Sequence, residues 1–177
     1  MLATLGDCDC YSLFYFIGLC FEFMEKETEM NKYYGKMQEH GEENLFLLAF
    51  HPYYRTAKFA HRKGDNAKAL RYYGKALSIY AEKEEHRIKR QNIGQLSCDM
   101  ATVYLNMGDS EQSRRYIEAS IAANAEESPQ RNYVLAVLCA AEGKREEAAA
   151  IAASLPDFMR SECERAIAAI GSTDLIS

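Results

Sequence analysis

Apolar residues recur at steps of three and four along most of the chain, which is the spacing of one face of an α-helix. The clearest stretch extends from about Ile88 to Met107. Its apolar positions are Ile93, Leu96, Met100, Val103, Tyr104 and Met107. The sequence contains no sustained alternation of apolar and polar residues, so strands are not predicted. We therefore predict an all-α protein.

Glycines divide this pattern into pairs of helices. Gly64 and Gly108 each follow a helical stretch, and Asp65 and Asp109 can cap the helix that comes next. Gly143 is expected to end a third helix, which begins with Ser128 as its cap and Pro129 in its first turn. The predicted helices span about 28–40, 42–50, 52–63, 66–83, 88–107, 129–142, 144–155 and 157–170, with Gly171 after the last one. A further helix is predicted to begin at a cap formed by Asp109 or Ser110.

A repeated spacing follows these glycines. Small residues lie five and twelve positions after Gly64 and Gly108, and a bulky residue lies nine positions after each. These residues are Ala69, Tyr73 and Ala76 in one copy and Ser113, Ile117 and Ser120 in the other; Ile121 is also expected to point inward. Gly143 repeats the pattern partly, with Ala148, Ala152 and Leu155. Small side chains at these offsets are expected where two helices approach closely.

This spacing resembles the tetratricopeptide repeat, a helical hairpin with a glycine before its second helix. Ala57, Ala101 and Ala136 match the small position of each first helix. The resemblance implies a right-handed superhelix of antiparallel helix pairs, a solenoid. The intervals from Gly64 to Gly108 and from Gly108 to Gly143 are 44 and 35 residues, whereas the family repeats every 34. The first interval is therefore expected to have lengthened helices or a longer connection.

Three regions are predicted along the chain. Residues 1–50 form a partial or divergent N-terminal repeat, 51–171 form the repeat array with a C-terminal capping helix, and 172–177 form a frayed tail. In the first region Gly6, Tyr15 and Gly18 echo the offsets of a second helix. The chain would then begin in the middle of a repeat, and its apolar N-terminal helix would lack a partner.

The net charge of -5 is unevenly distributed. Residues 1–54 and 92–177 each carry -6, whereas residues 55–91 carry +7. This basic region can attract an acidic partner. The alternative is that its cations lie on solvated faces beside acidic neighbours.

The six cysteines are scattered, so we expect reduced, buried thiols in a cytoplasmic protein. The apolar run from Tyr11 to Met24 is shorter than a membrane span, and we interpret it as a buried helix. Cys8 and Cys10 with Asp7, Asp9 or Cys20 are the most suitable zinc ligands. Residues two apart on a helix point to nearly opposite sides, so no metal or other cofactor is predicted.

No catalytic motif is present, and we predict that the protein is not an enzyme. Tyrosines mix with Lys and Arg between Tyr53 and Arg90, as they do in proteins that bind nucleic acids. Because Phe59 and Tyr73 are assigned to helix packing and the protein is acidic overall, nucleic acid is not the expected partner.

In the family, the concave surface formed by the first helices receives a peptide. Carried over residue by residue, this groove has one stretch in each repeat. Its positions are His51, Tyr54, Lys58, His61 and Arg62, then Gln95, Cys98, Thr102, Leu105 and Asn106, and finally Gln130, Tyr133, Val137 and Ala141. Lys58 stands where the family's carboxylate clamp has Asn, so chaperone-tail binding is not predicted.

These observations leave three hypotheses open. The first is a module that binds a protein or peptide, one with acidic residues, in the groove. The second is the sensor or regulatory segment of a larger bacterial transcription or signalling protein. The third is a homodimer that forms through the N-terminal apolar helix.

Overall fold

A computed structural model describes residues 7–40, 46–81, 87–123 and 128–173. Within these ranges the chain is helical apart from short turns, and no strand occurs. The helices are α1 (Asp7–Phe23), α2 (Glu27–His40), α3 (Phe46–Arg62), α4 (Asn66–Ala81), α5 (Arg87–Asn106), α6 (Ser110–Ala123), α7 (Pro129–Ala141), α8 (Arg145–Ala153) and α9 (Asp157–Thr173). The predicted all-α class is confirmed.

The chain forms two compact units. The first, Met1–Lys89, contains α1 to α4, and the second, Arg90–Ser177, contains nearly all of α5 and then α6 to α9. In each unit, helices that are consecutive in the chain pack against each other. The predicted regions 1–50, 51–171 and 172–177 remain a prediction.

The predicted turns are present. Gly64, Gly108 and Gly143 have φ angles of 79°, 78° and 78°, which an L-residue rarely adopts. The carboxylate of Asp65 accepts a hydrogen bond from the backbone N–H of Lys68 at 3.0 Å, which caps α4. Asp109 caps α6 in the same way. The third turn lacks such a cap, because Lys144 precedes α8 there.

The residues at the repeated offsets are buried, as predicted. This set comprises Ala69, Tyr73, Ala76, Ser113, Ile117, Ser120, Ala148, Ala152 and Leu155. Ser113 Oγ donates a hydrogen bond to the carbonyl oxygen of Ala101 at 2.8 Å, and Ser120 Oγ donates to that of Gly94 at 2.7 Å. Residues later in α6 therefore meet residues earlier in α5, which is the arrangement of an antiparallel pair.

Two inward positions predicted from the helical pattern are wrong. Met107 is 51% exposed and Ile121 is 42% exposed. Both lie in the last turns of their helices or just after them, where the partner helix no longer covers the apolar face.

The predicted break at Pro52 is also wrong, because α3 continues through this residue from Phe46 to Arg62. Proline removes one helical N–H, but its fixed φ is helical. Phe50 and Phe59 are buried on either side of it, so packing holds the helix together across the proline. Similarly, α9 continues past Gly171 to Thr173, because glycine weakens a helix by only about 1 kcal/mol.

The register predicted for the N-terminal region is wrong. Gly18 lies in α1, the first helix of a pair, and α1 turns directly into α2. The turn uses Glu25, whose φ of 57° takes the place of a glycine. Met30, Tyr34 and Met37 follow at offsets five, nine and twelve, and all three are buried.

Gly18 occupies the small position of this pair, seven residues before the turn, as Ala57, Ala101 and Ala136 do in the others. A Cβ atom at Gly18 would lie 2.4 Å from the ring of Tyr34. Helices α1 and α2 therefore form a divergent copy of the same hairpin, with large core residues and a glycine where the helices meet.

In the second unit, α9 packs against α7 and α8. The shared core consists of Ala136, Val137, Ala152, Leu155 and Cys163. Ser128 precedes α7 in an extended conformation and Pro129 starts the helix, as predicted, but the Ser128 side chain makes no capping hydrogen bond.

Candidate peptide-binding groove

Helices α1 and α3 lie side by side in the first unit. The rings of Tyr15 and His51 are 5.6 Å apart, and farther along both helices Glu22 pairs with Arg55 at 2.9 Å. Both contacts advance along the two helices in the same direction, so α1 and α3 are parallel neighbours. This is the relation expected of first helices in successive repeats.

A cavity of about 210 Å³ opens between these two helices. Its lining consists of Tyr11, Ser12, Tyr15, Phe16 and His51. His51 was predicted as a groove residue, whereas the four residues from α1 were missed because the register assigned to that helix was wrong. Phe16 is 63% exposed, so it presents an aromatic face beside the opening.

His51 is partly buried in this lining. Its ring lies 4.2 Å from that of Phe50. Burial lowers the pKa of His51, and the positive charge of Arg55 lowers it further. The imidazole is therefore neutral at physiological pH and contributes a flat ring to the cavity wall.

Glu22 is a buried carboxylate that the sequence analysis did not single out. It accepts hydrogen bonds from Tyr34 Oη at 2.9 Å, from Arg55 Nε at 2.9 Å and from Arg62 at 2.8 Å. A second bond from Arg55 at 3.0 Å completes a bidentate pair. Burial and the charge of Glu22 raise the pKa of Tyr34 well above its usual value. Glu22 thus joins α1, α2 and α3.

The ion pairs of Glu22 reduce the number of free cations in the predicted basic groove. Arg62 was assigned to contact a partner, but its guanidinium pairs with Glu22. Lys58 instead lies over the ring of Tyr54, with Nζ 5.5 Å from the ring centroid. No carboxylate in the described part of the chain pairs with Lys58. His61 follows one turn later and is partly buried.

Tyr54 is held by aromatic contacts on both sides. Its ring lies 5.7 Å from that of Phe50 and 6.1 Å from that of Tyr73 on α4. Because α3 and α4 fix the tyrosine, they also set the position of Lys58 above it.

In the second unit, the groove positions of α5 and α7 form a polar network. Gln130 donates a hydrogen bond to Asp99 Oδ1 at 2.8 Å, and Gln95 Nε2 lies 3.3 Å from both Gln130 Oε1 and Asp99 Oδ1. Asp99 is 3% exposed, and its Oδ2 has no hydrogen-bond partner within the described residues. The sequence analysis missed Asp99 because its position does not face the groove in the repeat register.

The other groove positions of this unit differ in exposure. Cys98 is buried against Ala101 and Ile117. The Thr102 hydroxyl donates a hydrogen bond to the carbonyl oxygen of Cys98 at 3.0 Å. Asn106 and Ala141 are exposed at the ends of their helices.

Tyr133 packs beside Leu105 and the buried Val137, against the core that α9 completes. Burial and then the charge of Glu162 raise the pKa of Tyr133.

Taken together, the structure brings the five α3 positions onto one helix and the α5 and α7 positions onto two neighbouring helices. The available chemistry is apolar contact, amide hydrogen bonding and one unpaired ammonium group. Within the described ranges, no three His, Cys, Asp or Glu side chains lie close enough to hold a metal ion. Asp7–Cys10 form the first turn of α1, and their side chains lie outside the described set.

The model of the family described as tetratricopeptide repeat matches residues 50–83 and 95–127. These segments coincide with the α3–α4 and α5–α6 pairs. These two helix pairs are tetratricopeptide repeats. No curated protein matches it.

Tetratricopeptide repeats are generally modules for protein–protein interaction and typically act as non-catalytic scaffolds. The match leaves out the α1–α2 pair, whose turn lacks glycine, and the α7–α8 pair, whose last offset carries Leu155. Within the described ranges, no helix has the length and apolarity needed to cross a bilayer.

Proposed function

We propose that this tetratricopeptide repeat protein binds a peptide segment of a partner protein in the groove between α1 and α3, without catalysing a reaction. The observation that supports this most is the cavity that Ser12, Tyr15 and His51 line from groove positions of two successive repeats, with the exposed Phe16 beside them. A concave, mostly aromatic site with a few polar groups is typical of peptide anchoring.

The groove also indicates the chemistry of the peptide. An apolar side chain of the partner would enter the cavity, and an acidic side chain would meet Lys58, whose ammonium group has no carboxylate partner among the described residues. His51 and Lys58 are two helical turns apart, about 10 Å. An extended peptide covers this distance in about three residues. The expected motif is therefore an apolar residue followed or preceded by Asp or Glu three positions away.

Gln95, Thr102, Asn106 and Tyr133 remain proposed contacts of the second unit. Gln95 and Gln130 offer amide groups at the surface, which suit the backbone of an extended peptide. Their contribution is separable, because Gln95→Ala and Tyr133→Ala alter only this unit.

Peptides selected from a displayed random library on the immobilised protein test the proposal. A fluorescent copy of the best peptide is titrated with wild type, Phe16→Asp and Lys58→Glu by fluorescence anisotropy at low salt. We expect each variant to weaken binding at least about tenfold, the effect of removing a buried contact or a close charge pair. Lys32→Glu, an exposed charge reversal on α2, is the matched control and should bind normally. Selected peptides that bind all three variants alike would contradict the groove.

Two hypotheses from the sequence remain proposals. Leu13 is 56% exposed and Phe23 is 82% exposed on α1, so this helix can also pair with a second copy. Sedimentation of the wild type and of Leu13→Glu tests the homodimer. A wild-type dimer that the variant abolishes supports pairing through α1, and a wild-type monomer contradicts it.

The other hypothesis is that the chain is a regulatory segment of a larger cytoplasmic protein. The full reading frame tests it.

A further inference from the structure

The outer edge of the α3–α4 pair carries two tyrosines and two cations outside the groove. Tyr53 and Tyr72 are 6.4 Å apart, and Lys75 Nζ lies 5.8 Å from the first ring and 5.1 Å from the second. The guanidinium of Arg71 lies 5.3 Å from the ring of Tyr72. We call these four residues the tyrosine–cation patch.

The charges of this patch differ from those of nearby cations. Arg62, Lys63 and Lys68 pair with glutamates of α1, α2 and the turn between them. Arg71 and Lys75 are exposed, and within the described ranges their only partners are aromatic faces. A ring face weakly attracts a cation without neutralising its charge. The patch therefore keeps two uncompensated positive charges, one helical turn apart.

Their spacing selects a geometry for the ligand. Residues four apart on a helix are separated by about 6 Å along the axis. In an extended peptide, side chains two residues apart lie on the same face at about 6.6 Å. Two carboxylates in the order acidic, any residue, acidic would reach Arg71 and Lys75 together. Arginine adds a planar fork that matches a carboxylate.

We propose that the tyrosine–cation patch is a second docking surface, distinct from the groove, for an extended acidic segment of a partner protein. Charge complementarity favours a protein over a nucleic acid here. Nucleic-acid binding relies on many phosphate contacts, about six to ten in well-studied cases, whereas this patch offers two cations on a protein with net charge -5. Two carboxylates balance two cations.

The experiment uses the full chain and three labelled probes. The first is a twelve-residue peptide in which Glu alternates with Thr, the second replaces every Glu with Gln, and the third is hexauridylate. Anisotropy titrations at about 50 mM salt, where ion pairs are weakly screened, compare wild type with the double variant Arg71→Glu/Lys75→Glu. The matched control, Lys32→Glu/Arg145→Glu, changes the net charge equally at exposed positions.

We expect the Glu peptide to bind wild type and the control at least tenfold more tightly than the Gln peptide does. The Arg71→Glu/Lys75→Glu variant should lose this preference while keeping its helical circular dichroism. Lys58→Glu should leave the titration unchanged, which separates the patch from the groove. Equal binding of both peptides, equal loss in the control, or tighter binding of hexauridylate that the double variant abolishes would each overturn the proposal.

Discussion

Gly18 and Gly74 are both glycines within helices, but their surroundings are opposite. A Cβ at Gly18 would lie 2.4 Å from the ring of Tyr34, whereas a Cβ at Gly74 meets nothing within 4 Å. Tyr34 cannot easily move away, because it is 1% exposed and its hydroxyl bonds to Glu22. The same residue type is therefore required at one position and costly at the other.

Gly18→Ala should lower the free energy of unfolding by about 1–3 kcal/mol, the cost of overpacking a core. Gly74→Ala should raise it by about 0.5–1 kcal/mol, because alanine restricts the unfolded chain and favours helix. Urea denaturation followed by circular dichroism measures both. If Gly18→Ala were as stable as the wild type, α1 and α2 would not be packed as described.

His51 gives the protein a pH dependence that can be assigned to one residue. Burial, aided by Arg55, lowers its pKa below the ordinary value of 6.5, so the unfolded chain takes up a proton more readily than the folded one. The contribution of neutral His51 to the free energy of unfolding is complete above about pH 6.5 and is lost as the pH falls. The charge that acts on the ring is that of Arg55 on the same helix, and the uncharged ring of Tyr15 faces it from α1.

We expect wild type to lose stability between pH 7 and pH 5 and His51→Phe, which keeps a ring in the cavity wall, to lose less. Urea midpoints at several pH values measure the difference. Parallel pH curves for the two proteins would show that His51 does not titrate as described.

At the scale of helices, Glu22 joins three elements through one buried carboxylate. Arg55 lies partly buried beside it, and although burial opposes the charge of Arg55, Glu22 outweighs this and the pKa of Arg55 is raised. Arg62 reaches the same carboxylate with a side chain that is 53% exposed. Water therefore solvates the Arg62 guanidinium but hardly reaches the Glu22 carboxylate.

Glu22→Gln should lower the free energy of unfolding by about 1.5–3 kcal/mol, because the amide cannot accept from all of the donors that surround it. Arg62→Ala should cost only about 0–1 kcal/mol, as for an exposed ion pair. Chemical denaturation of the two variants gives the order. A larger loss for Arg62→Ala would contradict the burial of Glu22.

The helix pairs could be predicted wherever their chemistry is local. Gly64 and Asp65 determine a turn and a cap within a few residues, so the sequence was sufficient to place α3 against α4. Glu22 was not predictable, since its partners are 12, 33 and 40 residues away and no local pattern marks them. The continuation of α3 through Pro52 depends on tertiary burial for the same reason.

The candidate groove was predictable to the same extent. The register of α3 placed His51 and Lys58 on one face, since Gly64 fixes that register. The facing residues Tyr15 and Phe16 were missed because Glu25, not a glycine, makes the turn after α1. Arg62 was assigned to a partner because its pairing with Glu22 depends on that same missed helix.

At the scale of the whole molecule, the uneven charge along the chain is partly compensated in the folded first unit. Four cations of the basic region, Arg55, Arg62, Lys63 and Lys68, pair with glutamates from the acidic N-terminal region. The expectation of cations beside acidic neighbours therefore applies to these four. Lys58, Arg71 and Lys75 keep their charge available, and both proposed docking surfaces contain at least one of them.

The cysteines provide a probe of the folded state. Cys98, Cys139 and Cys163 are buried, as predicted, and burial raises the pKa of the Cys139 and Cys163 thiols. Cys20 is exposed, contrary to the expectation of a buried thiol, because it lies on the uncovered face of α1. The side chains of Cys8 and Cys10 lie outside the described residues.

We expect a thiol reagent at pH 7.5 to modify Cys20 long before the three buried cysteines, which react only after unfolding. Peptide mass spectrometry at timed intervals measures the order, and the same experiment in urea is the control. Rapid modification of Cys139 or Cys163 in the native protein would contradict the core around α7 and α9.

The left-handed Glu25 affects how arrays of this kind are counted. A hairpin keeps its register through the bulk of Met30, Tyr34 and Met37 while losing the glycine and alanines by which such hairpins are detected. A count based on glycine turns would therefore find three of these hairpins in the described part of this chain, at Gly64, Gly108 and Gly143. It would miss the α1–α2 pair, which lies next to a pair that the family model matches.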